Sequence, residues 1–181
     1  MNAAHSSPLQ IPTLETERLK LRGHRLEDFV DSAAMWADAK VAEHTVGKPQ
    51  TEEECWTRFL RYAGHWAVMG FGYWVVEEKS TGNFLGEVGF ADFKRDIQPS
   101  LKEIPEIGWA FATHAHGRGF ATEAARAAVA WGEKYFSAPR TVCIIAPENL
   151  PSVRVAEKCG FHEFQRATYK GKPVLLFERE A

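Results

Sequence analysis

The chain has 181 residues, the size of one ordinary domain, and at this length about 70% of the unfolded chain's surface is buried on folding. Apolar residues make up 45%, aromatic residues 12% and charged residues 25%, which excludes a mainly disordered or collagen-like chain. Lys and Arg number 22 against 24 Asp and Glu, so the formal charge of -2 gives no overall positive field for nucleic acid. We therefore expect no nucleic-acid partner.

The cysteines and the N-terminal segment indicate in which cellular compartment the protein is expected. Cys55, Cys143 and Cys159 are an odd number, form no CxxC pair and have no spacing to histidines that indicates zinc. The first twenty residues lack a basic start followed by an apolar segment, and no window approaches eighteen consecutive apolar residues. We expect a cytoplasmic protein without a membrane partner.

The first third of the chain predicts a strand and two helices. Residues 1–14 are polar and contain two prolines, so we expect a flexible lead-in, with a single domain over 15–181. Alternation over 17–22 predicts a strand, and helical spacing over 26–37 predicts a helix. Thr51 and the three glutamates after it predict the start of a second helix. Its buried stripe is expected to be Trp56, Phe59, Leu60 and Ala63.

The rest of the chain alternates strands with helices. Residues 73–78 and 84–93 predict a hairpin around the turn 80–83, because β-rich segments flank a turn cluster. Further strands are predicted at 103–112 and 142–146 and as a pair within 161–178, and helices at 121–136 and 150–159. The order β-α-α-β-β-β-α-β-α-β-β predicts a mixed sheet with helices on its faces and excludes a TIM barrel or a doubly wound sheet.

The segment 106–124 carries the clearest chemical signal. An apolar strand runs into a glycine-bearing turn that opens a helix at once. Gly117 and Gly119 allow backbone conformations closed to other residues, and a helix start directs unpaired amides and the positive dipole end at one point. The pattern favours a phosphate or pyrophosphate, although a glycine turn that binds nothing explains the turn alone equally well.

Two nucleotide-binding motifs fail on this segment. A Walker loop ends in Gly-Lys-Ser/Thr, whereas Phe120 follows Gly119. A dinucleotide fingerprint has a third glycine where Thr122 stands, and a carboxylate about twenty residues later. Binding of ATP or NAD is therefore disfavoured.

Three segments together carry a family resemblance. His114-Ala115-His116-Gly117-Arg118-Gly119 resembles the acyl-CoA pyrophosphate loop Gln/Arg-x-x-Gly-x-Gly/Ala of the GNAT N-acetyltransferases, with His114 where Gln or Arg is usual. The stretch Asn149 to Ser152, on a helix that ends in Gly160-Phe161, is similar to the Asn-x-x-Ser helix of the RimJ/RimL branch of ribosomal-protein N-acetyltransferases. Glu15 to Arg22 is similar to that branch's first strand. The matches occur in the right order and span nearly the whole chain.

The resemblance implies a fold and an activity. The GNAT fold is an α+β, sandwich-like arrangement with a mixed, mostly antiparallel central sheet and helices on both faces. The implied activity is an acetyl-CoA-dependent N-acetyltransferase, in which a primary amine of a protein N-terminus or a small molecule attacks the thioester directly. A homodimer is compatible with the family. The alternative is a non-catalytic acyl-CoA-binding or sensing protein.

The resemblance also implies which residues hold acetyl-CoA. Backbone amides of the glycine loop receive the pyrophosphate, the preceding strand end pairs with the pantetheine arm, and Asn149 contacts that arm. Asn149 as a mere helix cap, and Arg118 as an exposed loop residue, remain alternatives. The expected cofactor-binding residues are Phe111, Ala112, Thr113, Gly117, Arg118, Gly119, Phe120, Ala121, Thr122 and Asn149.

For the proton acceptor we select Glu106. Alternation along the strand places Glu106, Gly108 and Ala110 on one face, where a carboxylate beside two small residues is expected to border open space. Glu106 is expected to remove the amine proton through water. The alternative is a solvent-facing strand glutamate without a catalytic role.

For the leaving thiolate, the resemblance implies Ser152 as proton donor or sulfur contact. The alternative is a first-turn serine with a local backbone bond. Tyr169 is a weaker candidate. His114 and His116 lie on one tight loop without a third ligand, so we expect no metal site. Trp36 and Trp74 are candidates for the wall of the acceptor pocket, although tryptophans more often lie in the core.

Overall fold

The computed structural model describes residues 10–137 and 140–180, which form one eight-stranded sheet and five α-helices. The strands are β1 (Leu14–Glu15), β2 (Leu19–Arg22), β3 (Tyr73–Glu78), β4 (Phe84–Ala91), β5 (Glu106–Phe111), β6 (Arg140–Ile145), β7 (His162–Tyr169) and β8 (Lys172–Glu180). The helices are α1 (Phe29–Ala37), α2 (Ala39–Glu43), α3 (Glu52–Met69), α4 (Phe120–Tyr135) and α5 (Leu150–Lys158).

The sheet is mixed and mostly antiparallel, as predicted. Its strand order is β1-β2-β3-β4-β5-β6-β8-β7, and of these neighbouring pairs β5–β6 is parallel while the others run antiparallel. The pair β5–β6 follows from the connection through α4, because a parallel neighbour requires a crossover segment. The site described below lies at this pair.

Part of the predicted lead-in 1–14 contacts the sheet. Residues 1–9 lie outside the described residues. Leu14 pairs with Leu21, Ile11 packs against the main core, and the carbonyl of Pro12 accepts a 2.8 Å hydrogen bond from the indole of Trp74. The contacts of the domain therefore begin before the predicted boundary at residue 15.

Helices α4 and α5 cover one face of the sheet. Small residues on α4 allow a close approach, and Ala124, Ala125 and Ala128 are fully buried there. A Cβ on Gly132 would lie 2.8 Å from the ring of Phe90, so the helix and β4 are in direct contact. Tyr135, the last residue of α4, is exposed.

Helices α1 and α3 cover the opposite face, and here one prediction is wrong. Of the predicted stripe on α3, Phe59 is buried, but Trp56 is 38% exposed, Leu60 is 50% exposed and Ala63 is exposed. A helical period of three to four residues fits two adjacent faces equally well. The sheet selects the face with large aromatic groups, so the buried residues of α3 are Cys55, Phe59, Tyr62 and Trp66.

The N-terminus of α3 follows its sequence signal. The Thr51 hydroxyl accepts from the amide of Glu54, and the Glu54 carboxylate accepts from the amide of Thr51, which forms a capping box. Helix α2 escaped prediction because five residues carry too little periodicity.

Candidate functional site

The glycine loop has the backbone geometry of an anion site. Gly117 and Gly119 adopt φ values of 74° and 79°, and Gly119 is the N-cap residue of α4. No atom lies within 4 Å of where a Cβ of Gly117 would stand, so the loop is open on that side. The first-turn amides of a helix have no partner within it, so those of Phe120, Ala121 and Thr122 are available to a phosphate.

Two arginines flank this loop. Arg118 is paired with Glu78 at 2.7 Å, and its guanidinium lies 4.4 Å from the ring centre of Phe120. Arg18 lies 4.6 Å from the same ring, donates to the carbonyl of Arg118 at 3.0 Å and forms an ion pair with Glu123. The ion pair with Glu78 therefore holds the Arg118 side chain against the Phe120 ring. Arg18 was not predicted as a site residue, although it belongs to the first-strand match.

Strands β5 and β6 separate beyond their first residues. Within the described part of the chain their register comprises one position, Glu106 opposite Val142. The amide of Ala112 donates to Leu85 on β4, and alternate residues of a strand direct their peptide groups to opposite neighbours. The peptide groups of Trp109 therefore point into the gap towards β6. A gap lined by strand backbone suits an extended, amide-containing chain such as pantetheine.

Both histidines of the loop bind backbone carbonyls. His116 Nε2 lies 2.7 Å from the carbonyl oxygen of Phe111, and His114 Nε2 lies 3.2 Å from that of Phe84. His114, in place of the usual Gln or Arg, thus ties the loop to β4. Within residues 10–137 and 140–180, no three His, Cys, Asp or Glu side chains are grouped as metal ligands.

Asn149 and Ser152 lie at the start of α5, the helix that follows β6. Asn149 is buried and its Oδ1 accepts from the amide of Ser152 at 3.2 Å, so it does cap the helix. The Ser152 hydroxyl accepts from the indole N–H of Trp109 on β5 at 3.3 Å. This bond uses an acceptor site of the hydroxyl and leaves its proton to donate elsewhere.

Helix α2 connects the two sides of the gap. The Thr113 hydroxyl donates to Asp38, the N-cap residue of α2, at 3.1 Å. Asn149 Nδ2 donates to the carbonyl of His44, just after α2, at 3.4 Å. The amide of Lys40 first, and then the Thr113 hydroxyl, hold the pKa of Asp38 below its usual value despite some desolvation. Thr113 and Asn149, both predicted to bind the cofactor, therefore sit at opposite ends of one short helix.

Glu106 lies on the predicted face but does not border open space. In the register with β4 it stands opposite Ala91, and Gly108 stands opposite Gly89. Glu106 is 6% exposed, and Arg95 binds both of its carboxylate oxygens at 2.6 Å. Burial alone lowers the pKa of Arg95, but the bonds to Glu106 raise it above its usual value. Arg95 comes from the loop between β4 and β5, which carries no helix or strand periodicity.

Tyrosines cover the same face of β5. Gly108 is partly exposed, and a Cβ on it would lie 2.3 Å from the hydroxyl of Tyr73. Burial raises the pKa of Tyr73 well above its usual value, so this hydroxyl stays protonated. The Tyr169 ring centre lies 4.9 Å from the Arg95 guanidinium. Tyr169 therefore sits on the side of Glu106, away from Ser152.

A second buried carboxylate was missed by the sequence analysis. Glu87 is 0% exposed and accepts from Ser32 at 2.6 Å and from the Trp36 indole at 2.9 Å, with His24 Nε2 at 3.3 Å. Burial raises its pKa, but hydrogen bonds, led by that of His24, outweigh this and hold it below the usual value. Trp74, proposed as a pocket wall, is fully buried on the other face of the sheet.

The described residues include no helix long and apolar enough to span a membrane.

Comparison with known proteins identifies the family. The family model of the acetyltransferase (GNAT) domain matches residues 18–162. A GnaT-family acetyltransferase structure from Bordetella pertussis is 31% identical, with a TM-score of 0.81 and coverage of 93% of this chain and 99% of that chain. An acetyltransferase structure from Agrobacterium tumefaciens is 28% identical, with a TM-score of 0.81 and coverage of 100% and 99%.

Among curated proteins, the chain is 36% identical to YkkB of Bacillus subtilis over 112 residues, which is 62% of this chain. The match spans 63% of the length of YkkB and 41% of that of the N-acetyltransferase YnaD from the same organism.

More distant structures share the fold. RimL, a ribosomal L7/L12 α-N-protein acetyltransferase in complex with CoA, is 14% identical, with a TM-score of 0.74 and coverage of 93% and 98%. Spermidine N-acetyltransferase from Vibrio cholerae, in complex with CoA and spermine, is 19% identical, with a TM-score of 0.70 and coverage of 91% and 96%. The chain therefore belongs to the GNAT family of acetyltransferases, for which acetyl-CoA is the acetyl donor, and this confirms the family predicted from its sequence.

Proposed function

We propose that this protein transfers the acetyl group of acetyl-CoA to a primary amine by direct attack of the amine on the thioester. The observation that carries the proposal is the open glycine loop at the start of α4, next to a gap between β5 and β6, with Ser152 of α5 bonded to the Trp109 indole of β5. RimL acts on a protein N-terminus and the Vibrio cholerae relative on spermidine. The acceptor is accordingly a protein N-terminal amine or a small amine.

The residues present fit the donor. The open side of Gly117 and the free first-turn amides of α4 suit the pyrophosphate, whose charge the helix dipole stabilises. Trp109 and Phe111 present strand backbone to the pantetheine arm, and Thr113 and Asn149 border its path. Holding the donor in this way lets the amine attack an oriented thioester.

Proton transfer is assigned to two side chains. As the amine nitrogen bonds to the thioester carbon and the C–S bond then breaks, one proton must leave the nitrogen and one must reach the sulfur. Ser152 donates towards the sulfur. Glu106 receives the amine proton through water, because a carboxylate has about four acceptor positions and Arg95 uses two of them.

The ion pair of Glu106 with Arg95 also favours a second candidate, a protein that binds acyl-CoA without transferring the acyl group. In that case the carboxylate only positions the loop that carries Arg95. Tight acetyl-CoA binding without thiol release on any amine would support this second candidate.

A pair of glycines offers a matched test of donor binding. Gly117 and Gly82 have φ values of 74° and 73°, and at either position no atom lies within 4 Å of where a Cβ would stand. Alanine costs about 1 kcal/mol of backbone strain at either position. Calorimetric titration should show acetyl-CoA binding weakened about tenfold or more by Gly117→Ala and unchanged by Gly82→Ala. Absence of binding to the unmodified protein, or equal effects of both variants, would contradict the site.

The catalytic assignments are tested by Ser152→Ala and Glu106→Gln with thiol release as the readout. Loss of general acid or base catalysis lowers kcat about 100-fold while acetyl-CoA affinity stays within about twofold. A lowered melting temperature with an unchanged kcat would assign Glu106 to positioning Arg95 only.

A further inference from the structure

Arg58 on α3 is a guanidinium whose charge no carboxylate of the described residues pairs. It lies 3.9 Å from the ring centre of Trp36 and donates to Gln50 Oε1 at 3.1 Å and to the Tyr62 hydroxyl at 3.5 Å. These partners are uncharged, and no carboxylate of residues 10–137 and 140–180 forms an ion pair with it. Its Nε–H is buried and has no hydrogen-bond partner in the described structure. A guanidinium has five N–H donors, so Arg58 retains unused donor capacity.

The carboxylates on the same face of the sheet are already bound. Glu87 accepts from the indole N–H of Trp36, from Ser32 and from His24, and Glu106 is held at both oxygens by Arg95. Charge that is partly desolvated is stabilised by a partner of opposite sign. Among the described residues, the buried side-chain nitrogens without a partner are His24 Nδ1 and Arg58 Nε, and the Arg58 guanidinium is a cation that an anion would stabilise.

Contacts place Arg58 on the side of β5 that carries Glu106, the residue assigned to accept the proton of the amine. Tyr62, its hydrogen-bond partner, stacks on Tyr73 with ring centres 4.3 Å apart, and the Tyr73 hydroxyl lies over the partly exposed Gly108 of β5. Trp36, beneath the guanidinium, packs in one cluster with Ala110. Arg58 thus borders the face of β5 that carries Glu106, opposite the face on which α4 and α5 pack.

Further positive charge lies along the loop that leads to Arg58. This loop contains Gly47 and, shortly after it, Gln50, which binds Arg58. A Cβ on Gly47 would lie 2.8 Å from Lys172 Nζ. Lys170, in the same β7–β8 turn, lies over the Tyr169 ring at 5.5 Å. Among the described residues neither lysine forms an ion pair with a carboxylate. Lys172 therefore adds a positive charge beside this loop.

We propose that the acceptor is a small primary amine that also carries an oxyanion, a carboxylate or a phosphate, and that Arg58 binds this oxyanion. The proposal rests on the proposed acetyltransferase function and adds the acceptor's chemical class. Arginine suits the role because its planar fork binds carboxylate and phosphate oxygens with two hydrogen bonds.

The test compares amines matched in size. γ-Aminobutyrate is paired with butylamine and O-phosphoethanolamine with ethanolamine, and spermidine and a neutral N-terminal peptide are added. We expect kcat/KM to be about 10- to 100-fold higher for at least one anionic amine than for its neutral partner, the range of a hydrogen-bonded charge. The carboxylate and phosphate arms identify which oxyanion is preferred. Preference for spermidine, the peptide or the neutral partners would overturn the proposal.

Variants of α3 provide the controls. Arg58→Gln should remove the 10- to 100-fold preference, mainly through KM, while kcat/KM for butylamine and ethanolamine stays within about threefold. Arg58→Lys should restore part of the preference. Arg61→Gln removes an exposed charge one turn further along the same helix and should leave the preference intact. Equal losses for anionic and neutral amines in Arg58→Gln would assign Arg58 to structure alone.

A measurement without turnover separates the two proposals. Each amine is titrated into the protein saturated with CoA, with melting curves confirming that the variants are folded. Tighter binding of the anionic amines, lost in Arg58→Gln, supports Arg58 as the anion site even where no thiol is released. Absence of acetyl-CoA binding refutes the proposed function, whereas binding of acetyl-CoA with indiscriminate amine binding refutes only the acceptor class.

Discussion

Glu87 joins α1 to the central sheet, so its removal should be costly for the fold. Its carboxylate on β4 is completely buried and accepts from Ser32 and Trp36 of α1 and from His24. In Glu87→Ala the Trp36 indole and the Ser32 hydroxyl lose their acceptor in a site that water does not reach. Buried donors without partners are expensive because they also lack the water they would have when unfolded.

The magnitude follows from these three contacts. Breaking a buried charged network by removing one member costs about 3–5 kcal/mol. For a chain of this length each kcal/mol lowers the melting temperature by about 2–4 °C, so Glu87→Ala should melt about 6–20 °C lower. Glu87→Gln should cost less, about 1–3 kcal/mol, because the amide oxygen still accepts one of the bonds.

The pH dependence gives an independent check with a definite sign. The pKa of Glu87 in the folded protein is below its ordinary value of 4.5. A depressed carboxyl pKa adds stability that is present above the unfolded pKa and lost as the pH falls through the folded pKa. The difference in unfolding free energy between the unmodified protein and Glu87→Gln should therefore be constant near pH 7 and shrink below about pH 4.5.

Urea denaturation at pH 7 and at several values down to pH 3.5 measures both effects. Glu157→Gln, which removes one exposed carboxylate from α5, is the control and should change stability by less than about 0.5 kcal/mol. A cost below 1 kcal/mol for Glu87→Ala, or a difference that grows on acidification, would refute the account of this network.

Three further outcomes test the packing. Gly132→Ala should cost about 1–3 kcal/mol because its Cβ meets the Phe90 ring at 2.8 Å, whereas Gly64→Ala, with no atom within 4 Å, should stabilise α3 by up to about 1 kcal/mol. Urea denaturation compares the two, and equal signs would contradict the contacts. Thr51→Ala should cost about 0.5–2 kcal/mol through the lost cap, and no change would contradict the capping box. The three cysteines, Cys55, Cys143 and Cys159, are buried, and burial raises the pKa of each thiol. A thiol reagent at pH 8 should therefore label none of them rapidly in the folded protein and all three in urea. Rapid labelling of the folded protein would contradict their burial.

Local signals determined much of the fold from the sequence. The strand 73–78, the capped start of α3 and the turn-to-helix transition at Gly119 were each predicted correctly, because neighbouring residues impose them through hydrogen bonds and backbone conformation. The motif matches around Gly117 and Asn149 led to the GNAT family for the same reason. A loop that binds through its backbone amides needs glycines at the positions with positive φ, and these glycines are visible in the sequence.

Only the tertiary structure decided which side chains meet. Helical periodicity allowed two faces of α3, and packing on the sheet chose the one with Tyr62 and Trp66. Glu106 was placed on the correct face, yet its environment depends on Arg95 from a loop without periodicity. Side chains far apart in the sequence carry no local signal of contact.

The charged residues around the site show this limit most clearly. Trp36 and Glu87 are 51 positions apart in the chain, and Arg18 and Glu123 are 105 apart. In the sequence, Arg58 is one more charge on the polar side of a helix. That no carboxylate of residues 10–137 and 140–180 pairs with it is visible only once the neighbouring strands and helices are in place. Local sequence therefore determined the backbone of the donor site, whereas the polar groups facing the acceptor were decided by long-range packing, since burial and pairing are properties of the assembled chain.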